Sequence, residues 1–155
     1  MTTFTRQDVV AQARSWLGTP YQHQARCKGA GVDCAGLIIG VAHALGASLF
    51  DTTAYGRQPL GAKLLEILQA NARPAGHAWL PGQIVLMRFA SEPQHLGILA
   101  PSVPGAWLDQ LHLIHAYGHS GRVVEHRLSS LWQHRVLARF EFPGVTSSPQ
   151  NGGGN

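Results

Sequence analysis

Cysteine is scarce in this chain of 155 residues, with Cys27 and Cys34 the two present. A disulfide scaffold needs more of them in a smaller, secreted chain, so that class is excluded. No apolar run reaches the roughly 20 residues that a bilayer-spanning helix needs, which argues against membrane insertion. The opening MTTFTRQDVV has no basic stretch followed by an apolar one, so synthesis in the cytoplasm without a secretory signal is expected. The net charge is +4, but the basic residues are scattered. Without a basic run there is no nucleic-acid surface to expect. Internal repeats are absent as well. With 45% hydrophobic and 13% charged residues, the composition suits one globular domain around one core.

The helical patterns lie in the first half. FTRQDVVAQARSWLG predicts a helix capped by Thr5, with Asp8 in capping-box position and Gly18 as its stop. Val9, Ala13, Trp16 and Leu17 share one face of it. Residues 19–33 form a polar, glycine-bearing loop. Asp33 then reads as the N-cap of a second helix, from Cys34 to about Leu45, stopped by Gly46. This helix is apolar on every side except at His43, so it is expected to be central and buried. LGAKLLEILQAN predicts a third, amphipathic surface helix.

After LPG at residues 80–82 the periodicity changes. QIVLMRF, HLGILA, LHLIHAY, RVVEHRL and RVLARFEF are short β-rich runs between turn residues, and SSLWQH holds one helical turn. The expected fold class is therefore α+β. N-terminal helices, the central one buried, pack on a mostly antiparallel sheet of five to six strands. The domain spans residues 1–142, and PGVTSSPQNGGGN, residues 143–155, is expected to be a flexible tail.

Nine histidines accompany the two cysteines. Cys34 opens a predicted helix, where free N–H groups and the helix dipole favour a thiolate and can receive an oxyanion. A cysteine nucleophile needs a base, and the base needs an orienting group. His95 starts a predicted strand beside Gly97, and His115 sits near the end of the next, so neighbouring antiparallel strands can bring both together. His112 and His119 are rivals for the third position, although strand alternation turns His112 to the opposite face. A zinc site from Cys27, Cys34 and members of His112, His115 and His119 competes with this reading, but the cysteine spacing is unlike that of structural zinc sites.

GVDCAGL, LPGQIVLMRF, HLGILA and LIHAYG, in that order, resemble the NlpC-type branch of the papain-like cysteine peptidases, which are bacterial and phage cell-wall hydrolases. The resemblance covers residues 5–142 and implies a papain-like fold. It makes Cys34 the nucleophile, His95 the general base and His115 the orienting residue. Tyr21 falls where the family has a tyrosine lining the substrate cleft, and Asp33 and Ala35 flank the nucleophile as further substrate-binding positions. The implied reaction cleaves a peptidoglycan stem-peptide amide, usually between D-glutamate and diaminopimelate or lysine, with no metal or other cofactor.

GTPYQHQARCKGAGVDC and LWQHRVLARFEFPG resemble a subgroup found among phage tail genes. This implies tail or tail-like particle proteins as partners, and action in the periplasm or cell wall. An idle structural component of a tail tip is the alternative. The chain departs from the family pattern at Ala35, where serine is usual, and at Gln83, where the family has the aspartate of Pro-Gly-Asp. APSVPGAWLDQ lengthens the connection before His115 and is expected to form a flap or partner-binding loop over residues 100–110.

Overall fold

The computed structural model describes residues 2–47, 51–52, 63–89, 93–103 and 110–146. Helix α1 (Arg6–Arg14) begins with the expected capping box. Thr5 Oγ1 accepts the Asp8 N–H at 3.1 Å, and the Thr5 N–H donates to Asp8 Oδ2 at 2.8 Å. Two orphan donors of the first turn are thereby satisfied. Val9, Ala13 and Trp16 are buried as expected. Leu17 is instead 43% exposed, because the helix ends at Arg14 and Leu17 lies in the turn beyond it.

Helix α2 (Cys34–Ala44) is the buried central helix, capped by Asp33 and stopped at Gly46, whose φ of 70° suits a glycine. Helix α3 (Lys63–Asn71) buries Leu64 and Leu68. Residues 60–62 of the expected third helix lie outside the described residues. SSLWQH supplies the short α4 (Ser130–Arg135).

The described strands are β1 (Phe4–Thr5), β2 (Arg26–Cys27), β3 (Gly31–Val32), β4 (Arg73–Pro74), β5 (Ile84–Arg88), β6 (Pro93–Pro101), β7 (Leu111–Tyr117), β8 (Arg122–Arg127), β9 (Val136–Glu141) and β10 (Val145–Thr146). The main sheet has six strands in the order β4-β9-β5-β6-β7-β8, and its neighbours run antiparallel. Alternation divides its side chains between two layers. Ile84, Leu86, Leu96, Ile98, Ile114 and Ala116 face the helices and form the main core. Val85, Met87, Leu99, Leu111 and Leu113 face the other way, where Trp79, Trp132 and Leu128 cover them. Helix α2 packs across β6 and β7, which sets its first residue against the strand that carries His95.

The C-terminal segment corrects one expectation. Pro143 does not begin a loose tail: Gly144, at φ 98°, turns the chain so that β10 pairs in parallel with β1, with Phe4 opposite Val145. The Phe4 N–H donates to the Gly144 carbonyl at 3.2 Å. Residues 147–155 lie outside the described residues, as do residues 104–109 of the expected flap.

Candidate active site

The loop before α2 is built around one carboxylate. Asp33 is 1% exposed. Its Oδ1 accepts the Gly36 N–H at 2.8 Å and Arg26 Nη1 at 3.3 Å, while Oδ2 accepts the Gln24 N–H at 2.7 Å. Arg26 is held in turn by Asp51 at 2.7 Å and by the Thr52 carbonyl. The β2–β3 hairpin lies directly on the first turn of α2, and a Cβ at Gly36 would collide with the Ala25 carbonyl. Asp33 thus turns its carboxylate inward, into the joint between loop and helix. Ala35 beside it is buried too.

Cys34 occupies the first position of α2, and its side chain is buried. The backbone N–H groups of Leu96, Ala35 and Cys34 itself lie near the sulfur and favour the thiolate. Burial works against them and dominates, with the Asp33 charge adding to it. Together they push the thiol up to about 12. The Leu96 N–H shows where the sulfur sits, beside the peptide that follows His95.

Ile98 of β6 is opposite Ile114 of β7. His95 and His115 each lie an odd number of residues from that pair, so both point to the same sheet face. There they meet. His95 Nε2 and His115 Nδ1 are 2.6 Å apart, with His95 4% exposed and His115 fully buried. Burial, and then the Arg135 charge, push His95 down to about 3. Burial, then the neighbouring His95 and His126, push His115 down to about 2. At neutral pH the thiol and both imidazoles are uncharged.

An aromatic shell encloses the pair. Phe89 lies 5.0 Å from the His95 ring, Tyr117 stacks on His115 at 5.0 Å, and Trp132 meets His115 edge-on at 5.0 Å. Arg135 sits over Trp132 at 4.7 Å and over Phe89 at 5.6 Å.

One participant escaped the sequence reading. His126 Nε2 lies 2.8 Å from His115 Nε2, and His126 Nδ1 lies 2.8 Å from the Arg127 carbonyl oxygen. Hairpin arithmetic could have found it. The β7–β8 turn pairs Tyr117 with Arg122, which sets His126 opposite Leu113 and diagonal to His115 on the same face.

The other candidates fall elsewhere. His112 points to the opposite face and pairs with Glu125 at 2.8 Å, a carboxylate that Arg14 also holds through two contacts of 2.9 Å. His119 is exposed in the short helical turn Gly118–Ser120. The Tyr21 N–H donates to the Gly121 carbonyl at 2.8 Å, and its half-buried ring packs against the main core. Cys27 is exposed and Cys34 buried, and both are free thiols. Among the described residues, no three His, Cys, Asp or Glu side chains converge as metal ligands, nor is any helix long and apolar enough to cross a membrane. Gln83 is fully buried. It donates to Glu141 and the Ala78 carbonyl and accepts from Arg139 and the Leu80 N–H, at 2.9 to 3.1 Å.

A model of the NlpC/P60 family matches residues 18–140, a span that includes Tyr21, Cys34, His95, His115 and His126. Three solved structures are similar. A lipoprotein-like NLP/P60 family protein from Staphylococcus aureus subsp. aureus Mu50 is 19% identical, with a TM-score of 0.58 over 92% of this chain and 43% of that one. The NlpC/p60 domain of peptidoglycan hydrolase SagA is 18% identical, with a TM-score of 0.56 over 89% of this chain and 99% of the domain. An NlpC/P60 family protein from Bacillus cereus ATCC 10987 is 13% identical, with a TM-score of 0.62 over 90% of this chain and 41% of that one. This chain therefore spans less than half the length of two of the three. At these identities the shared property is the fold. The search among curated proteins finds no match.

Proposed function

The chain belongs to the NlpC/P60 family, and from that premise we propose that it is a cysteine endopeptidase hydrolysing amide bonds of peptidoglycan stem peptides. Cys34 is the nucleophile, His95 the base and His115 its orienting residue. One observation carries this reading: a helix-start thiol lies against the Leu96 peptide, while the preceding residue, His95, is locked to a buried second imidazole at 2.6 Å.

Both reacting groups are neutral at rest, so the proton moves as the bond forms. His95 Nδ1 takes the Cys34 proton while the sulfur attacks the amide carbonyl carbon. The oxygen of the tetrahedral adduct is received by the Cys34 N–H at the helix start. His95 returns the proton to the departing amine, leaving a thioester. Water then attacks the thioester carbonyl, gives its proton to His95, and the thiol is regenerated as the acid leaves. The aromatic shell keeps bulk water from the imidazoles, so the charge formed on His95 meets fixed groups rather than mobile solvent.

The bond expected to break joins D-glutamate to diaminopimelate or lysine. Tyr21 is proposed to line the cleft. The resemblance of residues 18–34 and 131–144 to phage tail proteins supports a place in a tail or tail-like particle, acting in the periplasm or cell wall. Mass spectrometry of purified particles tests that placement, and absence of the chain from them removes it.

The burial of the thiol, which keeps it protonated, favours a second reading in which this is an idle assembly component. Incubating wild type and Cys34→Ala with purified muropeptides separates the two. Cleavage by wild type alone supports the peptidase, and identical product profiles support the idle component.

A further inference from the structure

The imidazole pair extends to a third ring and ends on a group whose hydrogen-bonding role is fixed. A backbone carbonyl has no proton, so it only accepts. The Arg127 carbonyl lies 2.8 Å from His126 Nδ1, which places the proton of that ring on Nδ1. In a neutral imidazole the other nitrogen is then a lone pair. His126 Nε2 therefore accepts, and its partner at 2.8 Å, His115 Nε2, must donate. His115 Nδ1 is in turn the acceptor of that ring, and the nitrogen 2.6 Å from it, His95 Nε2, carries the proton. His95 Nδ1 is left with its lone pair. Three rings and one carbonyl admit a single arrangement of protons while all three rings are neutral.

We propose that His126 is a positioning residue for the base: acting through His115, it anchors the proton order that leaves His95 Nδ1 free to accept from Cys34. This rests on the assignment of Cys34 and His95 as the reacting pair. Without His126, the His115 Nε2–H faces no fixed acceptor in a mostly apolar shell, and His115 gains as much by carrying its proton on Nδ1. That tautomer donates to His95 Nε2 and forces the His95 proton onto Nδ1, where it blocks proton uptake from the thiol. His126 is half-buried and lies 5.1 Å from the Trp132 ring, so an aromatic replacement keeps the packing while removing both nitrogens.

The test combines two readouts on wild type, His126→Phe and His126→Gln. Long-range proton–nitrogen NMR at neutral pH reports which ring nitrogen of each histidine is protonated, and steady-state cleavage of a purified muropeptide gives kcat and KM. Wild type is expected to carry its protons on His95 Nε2, His115 Nε2 and His126 Nδ1. His126→Phe is expected to mix or reverse the tautomers of His95 and His115. Because it removes only an indirect part of general-base catalysis, it should lower kcat roughly tenfold to hundredfold, with KM changed less than about twofold. His126→Gln, whose amide oxygen can accept from His115, is expected to restore the wild-type nitrogen pattern and most of kcat.

A wild-type spectrum with the His95 proton on Nδ1 overturns the proposal. So does a His126→Phe variant whose nitrogen pattern is unchanged. If wild type cleaves no muropeptide, the peptidase reading fails by itself, and the nitrogen pattern of the three proteins still decides whether His126 sets the tautomer.

Discussion

Asp33 Oδ1 accepts the Gly36 N–H at 2.8 Å, and the residue that caps α2 is also a charge that acts on the thiol that opens it. The two effects oppose each other. The cap holds Cys34 in place, and the carboxylate's charge resists formation of the thiolate.

Substituting Asp33 separates these effects. Asp33→Asn keeps an oxygen for Gly36 and removes the charge, so the Cys34 thiol should ionise at lower pH. Ultraviolet absorbance of the thiolate, followed against pH in a Cys27→Ser background, measures this directly. Asp33→Ala also removes the cap and strands the Gln24 and Gly36 N–H groups, for a loss of about 2–4 kcal/mol in urea unfolding. A thiol titration that does not move in the Asn variant would show that the Asp33 charge does not reach the sulfur.

Acid should unfold this protein early. His95 and His115 hold pKa values near 3 and 2 when folded, against 6.5 for an ordinary histidine. Between those limits the unfolded chain binds protons that the folded chain refuses, so stability falls as pH falls from about 6.5. Each histidine contributes up to about 1.4 kcal/mol per pH unit. Urea midpoints between pH 4 and 7 should drop steeply, and His115→Asn should remove about half of the slope. The thiol acts at the other end, since a folded pKa of about 12 against 9.0 costs stability as pH rises above 9. Cys34→Ala should flatten that alkaline loss.

Gly40 tests the contact that fixes α2 against the turn after α1. A Cβ there would enter the Trp16 indole ring, which is itself buried. Gly40→Ala should therefore destabilise by about 1–3 kcal/mol despite alanine's better helix propensity. Gly40→Ala with Trp16→Phe should recover part of that loss, because the smaller ring makes room. Additive losses in the double variant would place the strain elsewhere.

The long elements were legible because each carries a complete local signal. Thr5 with Asp8, and Asp33 before an apolar run, are helix starts that need no tertiary partner to be read. The five strands of the second half alternate or bury as continuous runs, and most of the strand ends match within two residues. The strands that were missed, such as Arg73–Pro74 and Val145–Thr146, are two residues long and have no period to display. Pro74 cannot donate to a ladder and reads as a breaker, yet it is tolerated on an edge strand, where β4 lies. His126 was missed for another reason: its pairing with His115 is set by hairpin register, which depends on where the turn closes rather than on any residue in its own strand.

Gln83 stands where the family pattern has aspartate, and its surroundings explain why a neutral side chain suits this chain. Its Nε2 donates to Glu141 Oε1 at 3.0 Å, and the same carboxylate is gripped by Arg6 at 2.8 and 2.9 Å. Gln83→Glu is nearly isosteric but puts an acceptor where a donor was, and a second charge beside the first. One carboxyl of the pair would then hold its proton to higher pH than in the unfolded chain. The expected cost is about 2–4 kcal/mol at pH 7. That cost should shrink as pH falls through the carboxylate range, because protonation restores the lost hydrogen bond. Gln83→Leu provides the contrast, since it strands the Leu80 N–H at every pH, so a deficit should persist at the pH where that of Gln83→Glu has shrunk. Urea unfolding of the three proteins between pH 4 and 8 measures the gaps, and a Gln83→Glu deficit independent of pH would mean that Arg139 neutralises the new charge.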